Sequence, residues 1–191
     1  NGVFAIYESI VWVCLEAVLI VATIVLWHPL TRLWRSREQP DAKFETWVAV
    51  ALYMVVISLG LGGIGVGPLQ LMELFNRLLT FVAALAGGAA IGAAAGTALG
   101  WLTGLGAAVP LGGEGAYALA GMLGGLFASR GKFAVGVGFL FGHVLVSLTP
   151  AVQADVLSSL LHALAALALF TLVPNEWMKA FAYTLPGSRT R

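Results

Sequence analysis

Residues 78–110 read LLTFVAALAGGAAIGAAAGTALGWLTGLGAAVP, a long run without a single charged side chain. As one straight α-helix this run would be roughly 50 Å long, which is too long for one comfortable crossing of a ~30 Å hydrocarbon core. It is also short for two full crossings. The stretch therefore predicts membrane helices that are broken or that turn back on themselves.

The rest of the chain has the same apolar character. Of its 191 residues, 60% are hydrophobic and 10% are charged, and the mean hydropathy is +0.94. A soluble domain carries about 25% charged residues, so a water-soluble globule is excluded. The apolar runs are continuous, which excludes an outer-membrane barrel. The composition predicts an all-α fold: a polytopic transmembrane helical bundle with glycine-rich, close-packed helices, and with broken or re-entrant helices in 78–149.

Charged blocks separate the predicted spans. Clean spans are expected over 9–27, 44–61 and 156–173, and residues 113–149 form two apolar arms around a basic tip. A Gly-rich stretch and a short amphipathic segment ending at Arg77 precede the central run. The positive-inside rule places cationic clusters in the cytoplasm. The cations assigned to that side are Arg32, Arg35, Arg37, Lys43, Arg130, Lys132 and Lys179. This topology, with a cytoplasmic C-terminus, requires 78–110 to turn back, near 92–100.

Glycine recurs at every fourth position in the central run and again in the two arms that follow it. These glycines are Gly88, Gly92, Gly96, Gly100, Gly104, Gly121, Gly125, Gly138 and Gly142. On a helix such a series forms a smooth ridge that lets another backbone approach closely. Ordinary packing within the chain and a self-association surface both explain the ridge. An unbroken ridge opposes the predicted turn, so one long helix and a hairpin both remain open for 78–110.

Three polar side chains are predicted to lie within the membrane: Glu16, His143 and His162. A carboxylate at bilayer depth is costly, so Glu16 should be protonated, paired or turned towards a wet interior. The two histidines are its expected partners. Such a cluster would serve as a proton relay or a small-molecule pathway, or it would form interhelical hydrogen bonds that set the packing.

The motifs of soluble enzymes are absent from the sequence. The single cysteine, Cys14, permits neither an internal disulfide nor a cysteine-based metal site. There is no phosphate loop and no HExxH, and the glycines at 87–104 lack the strand and the acidic residue of a dinucleotide fingerprint. We therefore assign no catalytic residue, metal ligand or cofactor to this chain. Its net charge of +1 also gives no surface for nucleic acid.

Four short segments follow one another in a distinctive order. They are NGVFAIY at 1–7 with LEA around Glu16, AGGAAIG at 86–92, AGMLGGLFASRGKFAVGVGFLFG at 120–142, and YTLPG at 183–187. In this order they resemble the C-terminal part of the membrane domain of the stage II sporulation protein E family, over nearly the whole chain. His143 and His162 do not belong to the family pattern, which leaves Glu16 as the better polar candidate.

The resemblance implies a place within a longer bacterial protein. Members of that family have a multi-span membrane domain, a regulatory region, and a serine phosphatase domain that uses manganese or magnesium. Residues 1–187 would then be a fragment of the membrane domain that lacks the earlier spans. Residues 188–191 would begin a cytoplasmic linker to a regulatory and phosphatase region absent from this chain, and the metal would belong to that region alone.

The resemblance also implies a function. The family phosphatase dephosphorylates an anti-anti-sigma factor and so activates the first forespore sigma factor. Its membrane domain holds the enzyme in the bacterial cytoplasmic membrane at the polar division septum. There it assembles with itself and with division-machinery proteins. For this segment the expected roles are therefore membrane anchoring, septal localisation and self-assembly, with no catalysis of its own.

A substrate-binding membrane subunit of a vitamin or metal transporter is the alternative. Such subunits have about this length, and glycine-broken helices with a buried carboxylate suit ligand binding at the middle of the membrane. The transporter alternative predicts an occupied site or a hydrated cavity around Glu16. A membrane anchor predicts neither.

Overall fold

The computed structural model describes residues 44–106, 113–148 and 156–174, together with three isolated positions, Val13, Ala17 and Ile20. The chain divides into two compact units, residues 1–57 and residues 58–191. Predictions that concern Glu16, the cations between 32 and 43, and Lys179 fall outside the described residues.

Five α-helices make up most of the described part of the chain. They are α1 (Phe44–Gly60), α2 (Leu71–Gly106), α3 (Gly113–Leu126), α4 (Lys132–Ser147) and α5 (Val156–Leu172), with a 3-10 turn at Ala128–Arg130 between α3 and α4. The predicted helical class is confirmed. Helices α1, α3, α4 and α5 also lie within the apolar segments that the sequence predicted to be spans or arms.

A small hairpin connects α1 to α2. Strand β1 (Gly65–Val66) pairs antiparallel with strand β2 (Leu69–Gln70), so that Gly65 lies opposite Gln70. The turn passes through Gly67 at φ 62°, a left-handed conformation that glycine adopts more readily than other residues. The sequence analysis identified only a Gly-rich stretch here. The hairpin matters for the site because it leads directly into α2 and presents the backbone of Gln70 to α5.

Helix α2 bends sharply at Gly88. Gly88 has φ 73° and ψ −161°, so α2 consists of a first arm, residues 71–87, and a second arm, residues 89–106. A Cβ atom built on Gly92 would lie 3.0 Å from the Cβ atom of Ala84. Eight residues of straight helix would instead separate these positions by about 12 Å. The two arms therefore turn back towards each other.

The bend decides how the central apolar run is folded. Residues 78–106 do not form one straight helix, and the turn expected near 92–100 lies instead at Gly88. Glycine allows this position because a positive φ combined with an extended ψ is almost closed to residues that carry a Cβ atom. The ridge of glycines at every fourth residue is therefore interrupted at its first member.

Only one helical segment in the described part of the chain, Leu71–Thr103, is long and apolar enough to cross a membrane. Because the bend at Gly88 divides it, its length belongs to two arms, residues 71–87 and residues 89–103. The remaining described helices have 14 to 17 residues, fewer than the about 20 that a crossing needs. The number of membrane crossings stays a prediction.

Helix α3 packs along the second arm of α2. The backbone of Gly121 contacts that of Gly92, and the backbone of Gly125 contacts that of Gly88. The residue number rises along one helix as it falls along the other, so the two helices are antiparallel. Glycine at these positions lets the backbones meet without intervening side chains.

The opposite face of α3 packs against α4. A Cβ atom built on Gly142 would lie 2.7 Å from the Cα atom of Ala120, and one built on Gly138 would lie 2.7 Å from the carbonyl oxygen of Leu123. These two helices are also antiparallel, as expected for neighbours joined by a short turn. Helix α3 is therefore held between the second arm of α2 and α4.

Three fully buried phenylalanines join the first arm of α2 to the last two helices. The ring centroid of Phe81 lies 4.5 Å from that of Phe139 on α4 and 5.1 Å from that of Phe170 on α5. Aromatic pairs at such separations contribute about 0.5–1.5 kcal/mol beyond the area they bury. This apolar core lies one helical turn along the first arm from Arg77.

Candidate functional site

Arg77 is a charged residue buried in the second compact unit, residues 58–191, which we call the helical unit. Its side chain is 1% exposed, and its Nη1 atom donates a hydrogen bond of 2.6 Å to Oε2 of Glu73, which is 31% exposed. The i,i+4 spacing on the first arm places both side chains on one helix face. The guanidinium carbon also lies 5.0 Å from the ring centroid of Tyr117 on α3. The ion pair therefore has its positive end innermost.

Ser159 links this ion pair to a histidine. Arg77 Nη2 donates to Ser159 Oγ at 2.7 Å, and the same oxygen lies 2.7 Å from Nε2 of His143. Arginine can only donate, so the serine oxygen accepts from it and the hydroxyl proton is available to His143 Nε2. We assign the proton of the His143 ring to Nδ1 from this network. The chain of contacts connects α2, α5 and α4.

His162 forms a separate branch of the same group of polar side chains. We call this group the polar cluster; its members are Glu73, Arg77, Tyr117, His143, Ser159 and His162. The backbone N–H of Gln70 donates to Nε2 of His162 at 2.8 Å, so this nitrogen carries no proton. The Nδ1 proton is directed at the carbonyl oxygen of Ser158, 2.6 Å away. His162 is therefore neutral, and the 3.6 Å distance from its Nδ1 to Glu73 Oε2 does not represent an ion pair. This branch fastens the β-hairpin to α5.

Several buried polar atoms in and beside the cluster have no hydrogen-bond partner among the described residues. They are Arg77 Nε, Tyr117 Oη, His143 Nδ1 and Asn76 Nδ2. The other side of the Asn76 amide is bonded, since its Oδ1 accepts from the Ser58 hydroxyl at 2.6 Å. A buried polar atom that remains unsatisfied costs about 1–3 kcal/mol, so these atoms require explanation.

The structure brings together only part of the predicted polar set. His143 and His162 both belong to the cluster, but their partners are Ser159, Gln70 and the Ser158 carbonyl. A link between the histidines and Glu16 stays a prediction, because Glu16 lies outside the described residues.

Sequence reasoning missed the centre of the cluster. Residues up to Arg77 were expected to form a short amphipathic segment, whereas Arg77 lies six residues inside α2 and is buried. A usable signal was present: a Glu four residues before an Arg, directly ahead of an uncharged run, indicates one helix that begins with an internal ion pair.

The predicted packing glycines lie at contacts within the chain wherever the structure describes those contacts. Gly96 faces the backbone of Tyr117 in the same way that Gly92 faces Gly121. Gly100 is buried on the second arm, and Gly104 also lies on that arm. A second copy of the chain as partner for this ridge stays a proposal.

Two of the predicted cytoplasmic cations flank the start of α4. The exposed Arg130 lies with its guanidinium carbon 5.7 Å from the ring centroid of Phe127. Lys132 Nζ donates to the backbone carbonyl of Val173, just beyond α5. A cation at this place satisfies a carbonyl that the helix leaves free and complements the helix dipole. The basic tip is thereby tied to the end of the last helix.

A metal centre finds no support in the described residues. Across 44–106, 113–148 and 156–174, no three His, Cys, Asp or Glu side chains are placed to hold a metal ion. The cluster offers charge-assisted hydrogen bonds and two neutral imidazoles. These groups can position helices and bind a small polar molecule.

Comparison with known proteins identifies the family. A family model described as the SpoIIE N-terminal domain matches residues 2–182. The chain is also similar to stage II sporulation protein E of Bacillus subtilis (strain 168), with 25% identity over 188 residues that cover 98% of this chain and 23% of that protein. It thus spans about a quarter of the length of this curated relative. No solved structure matches the chain. The matched domain is not the catalytic part of the family, and the chain belongs to the family of SpoIIE N-terminal domains.

Proposed function

We propose that this chain anchors a sporulation phosphatase in the bacterial cytoplasmic membrane. It holds the enzyme at the polar division septum and promotes assembly with itself and with division-machinery proteins. The observation that carries the proposal is the family match over residues 2–182. The phosphatase would activate the first forespore sigma factor by dephosphorylating its anti-anti-sigma factor. That reaction and its manganese or magnesium belong outside this chain.

The distribution of apolar side chains supports a membrane role. On α4 and at the residue directly after it, the exposed large side chains include Phe133 (71% exposed), Val137, Phe141, Val144 and Leu148. Their spacing of three or four residues places them along one helix face. Contiguous apolar surface of this kind is rare on soluble proteins and marks contact with a partner or a membrane. Contact with lipid chains accounts for it here.

The polar side chains show the complementary arrangement. Arg77, His143 and His162 are buried among the helices, while many large aromatic and aliphatic side chains of the described residues are exposed. Ionisable residues in membrane helices face the bundle interior and pair with one another. A polar cluster inside the helices together with exposed apolar side chains thus supports insertion into the bilayer.

A domain replacement tests the proposed anchoring and targeting. In the intact protein, residues 1–191 are replaced by an unrelated multi-span membrane domain, and both proteins carry the same fluorescent tag at matched expression. During sporulation the intact protein should concentrate at the polar septum, whereas the replacement should spread around the cell membrane. Septal enrichment of the replacement protein would contradict the proposed targeting role.

The transporter alternative predicts a different binding site. It requires a small-molecule ligand near Glu16, whereas the polar cluster described here is centred on Arg77. Binding of a vitamin or a metal ion that is lost in Glu16→Gln would favour the transporter. The family match favours the anchor.

A further inference from the structure

We propose that His162 is a proton-sensitive clasp that holds the β-hairpin on α5. The neutral ring accepts the Gln70 N–H through Nε2 at 2.8 Å and directs its Nδ1 proton at the carbonyl oxygen of Ser158. A proton gained by the ring goes to Nε2, because Nδ1 already carries one. Two donors then face each other, and the hairpin separates from α5. The anchoring role does not depend on this response.

The geometry of the hairpin directs the Gln70 N–H at α5. Leu71, the next residue, donates its N–H to the carbonyl oxygen of Ile64 across the hairpin, at 3.0 Å. Successive residues of an antiparallel strand alternate between bonding to the partner strand and facing away from it. The Gln70 N–H therefore faces away from β1, and His162 supplies its acceptor.

The contact is sensitive to a proton because a backbone N–H can only donate. A protonated imidazole has a donor on both ring nitrogens and no acceptor, so it offers nothing to the Gln70 N–H. The other histidine of the polar cluster differs in this respect. His143 Nε2 contacts the Ser159 hydroxyl, and a hydroxyl can accept as well as donate. Only the contact of His162 must break when its ring is charged.

The charges around His162 allow the ring to gain a proton. The first arm of α2 contributes Glu73, whose Oε2 lies 3.6 Å from Nδ1 of His162, and Arg77, which is paired with that carboxylate. Helix α4 contributes His143, and residues 61–70 carry no titratable side chain. Arg77 opposes a second positive charge, whereas Glu73 offsets it. Because the Glu73 carboxylate is 31% exposed, it also connects the buried ring to solvent.

The hairpin buries little surface that would resist its release. Residues 62–68 are exposed, and Leu69 is half-buried. Since apolar stabilisation is roughly proportional to the area removed from water, such a hairpin gains little from apolar packing. Loss of the His162 contact is therefore a large part of what holds it on α5.

Hydrogen–deuterium exchange at the Gln70 amide tests the clasp in the intact protein in detergent. The charge of histidine changes between about pH 5 and pH 8, so protection is compared at pH 7.5 and pH 5.5 after correction for the intrinsic pH dependence of exchange. Protection of Gln70 should fall several-fold at pH 5.5, while amides of the apolar core around Phe139 keep theirs. Equal protection of Gln70 at both pH values would overturn the proposal.

His162→Gln is the matched variant. Its side-chain oxygen can still accept the Gln70 N–H, but it gains no proton in this pH range. Protection of Gln70 in this variant should be the same at pH 7.5 and pH 5.5. A fall as large as that of the parent would assign the response to another group, such as Glu73 or His143, and would overturn the proposal.

A measurement on the parent protein does not depend on how the variant folds. The hydrogen on C2 of a histidine ring exchanges at a rate that reports whether the ring is protonated, and mass spectrometry resolves this rate for each histidine. His162 should gain its proton over the same pH range in which the Gln70 amide loses protection. A ring that stays neutral down to pH 5.5 would overturn the proposal.

Discussion

Gly92 of the second arm and Gly121 of α3 lie backbone to backbone. A Cβ atom added to either glycine would collide with the carbonyl oxygen of the other. Two helices can approach this closely only where neither carries a side chain at the contact. This pair therefore fixes how near α3 comes to the second arm of α2.

Gly92→Ala should destabilise the helical unit by about 1–3 kcal/mol, because the added methyl group must push two backbones apart. The free energy of unfolding of the chain, measured in mixed detergent micelles, checks this. Gly115→Ala is the matched control, since a Cβ atom at Gly115 on α3 would meet nothing within 4 Å. The control should be neutral or slightly stabilising, because alanine favours helix over glycine. Equal effects of the two substitutions would contradict the close contact.

Gly88→Ala should disrupt the bend in α2. Its φ of 73° with ψ of −161° is open almost only to glycine, so alanine adds strain of about 1–3 kcal/mol. Limited proteolysis within 71–106 should become faster in this variant. Gly60→Ala, at an open position at the end of α1, should leave the cleavage rate unchanged. A variant at Gly88 that is as resistant as the parent would show that the bend does not need glycine.

The ion pair should respond unequally to loss of its two members. Glu73→Gln leaves the buried Arg77 charge without a counter-charge, and breaking such a pair costs about 3–5 kcal/mol. Arg77→Met should cost less, because the Glu73 carboxylate is 31% exposed and can be hydrated. Combining the two substitutions should restore part of the loss caused by Glu73→Gln. Free energies of unfolding for the four proteins test this order; equal or additive losses would argue against a coupled pair.

Ser159 should matter far more than the serine beside it. Ser159→Ala removes the hydroxyl shared by Arg77 and His143, and each group left unsatisfied costs about 1–3 kcal/mol. Ser158 contributes its backbone carbonyl to His162, and alanine keeps that carbonyl. The thermal unfolding midpoint should therefore fall clearly for Ser159→Ala and little for Ser158→Ala. Similar midpoints for both variants would contradict the role of the Ser159 hydroxyl as the shared partner of Arg77 and His143.

The length of the apolar segments and the position of the charges were sufficient to predict four of the five helices in the described part of the chain. Continuous apolar segments bounded by charged or proline-containing stretches locate α1, α3, α4 and α5. They do so because apolar residues lie along the whole length of each of these helices. The basic pair at Arg130 and Lys132 correctly marks the turn between α3 and α4.

The bend at Gly88 and the polar cluster could not be predicted from the sequence, for physical reasons. Many glycines occur between 87 and 104, and sequence alone does not show which one takes a positive φ. Arg77 was expected to end a short amphipathic segment. The cost of burying a charge gives a sequence no reason to place an arginine in the interior. Its partners Tyr117 and Ser159 come from distant helices, and only the folded chain brings them together.

The proposed anchoring role depends above all on insertion of this chain into the membrane. The most direct measurement expresses residues 1–191 fused to a fluorescent protein and extracts the membranes with alkaline carbonate, which removes peripheral proteins. The fluorescent protein expressed alone is the control for trapping. If the chain inserts into the bilayer, the fusion stays in the membrane pellet while the control remains in the supernatant. Release of the folded fusion into the supernatant would contradict the account.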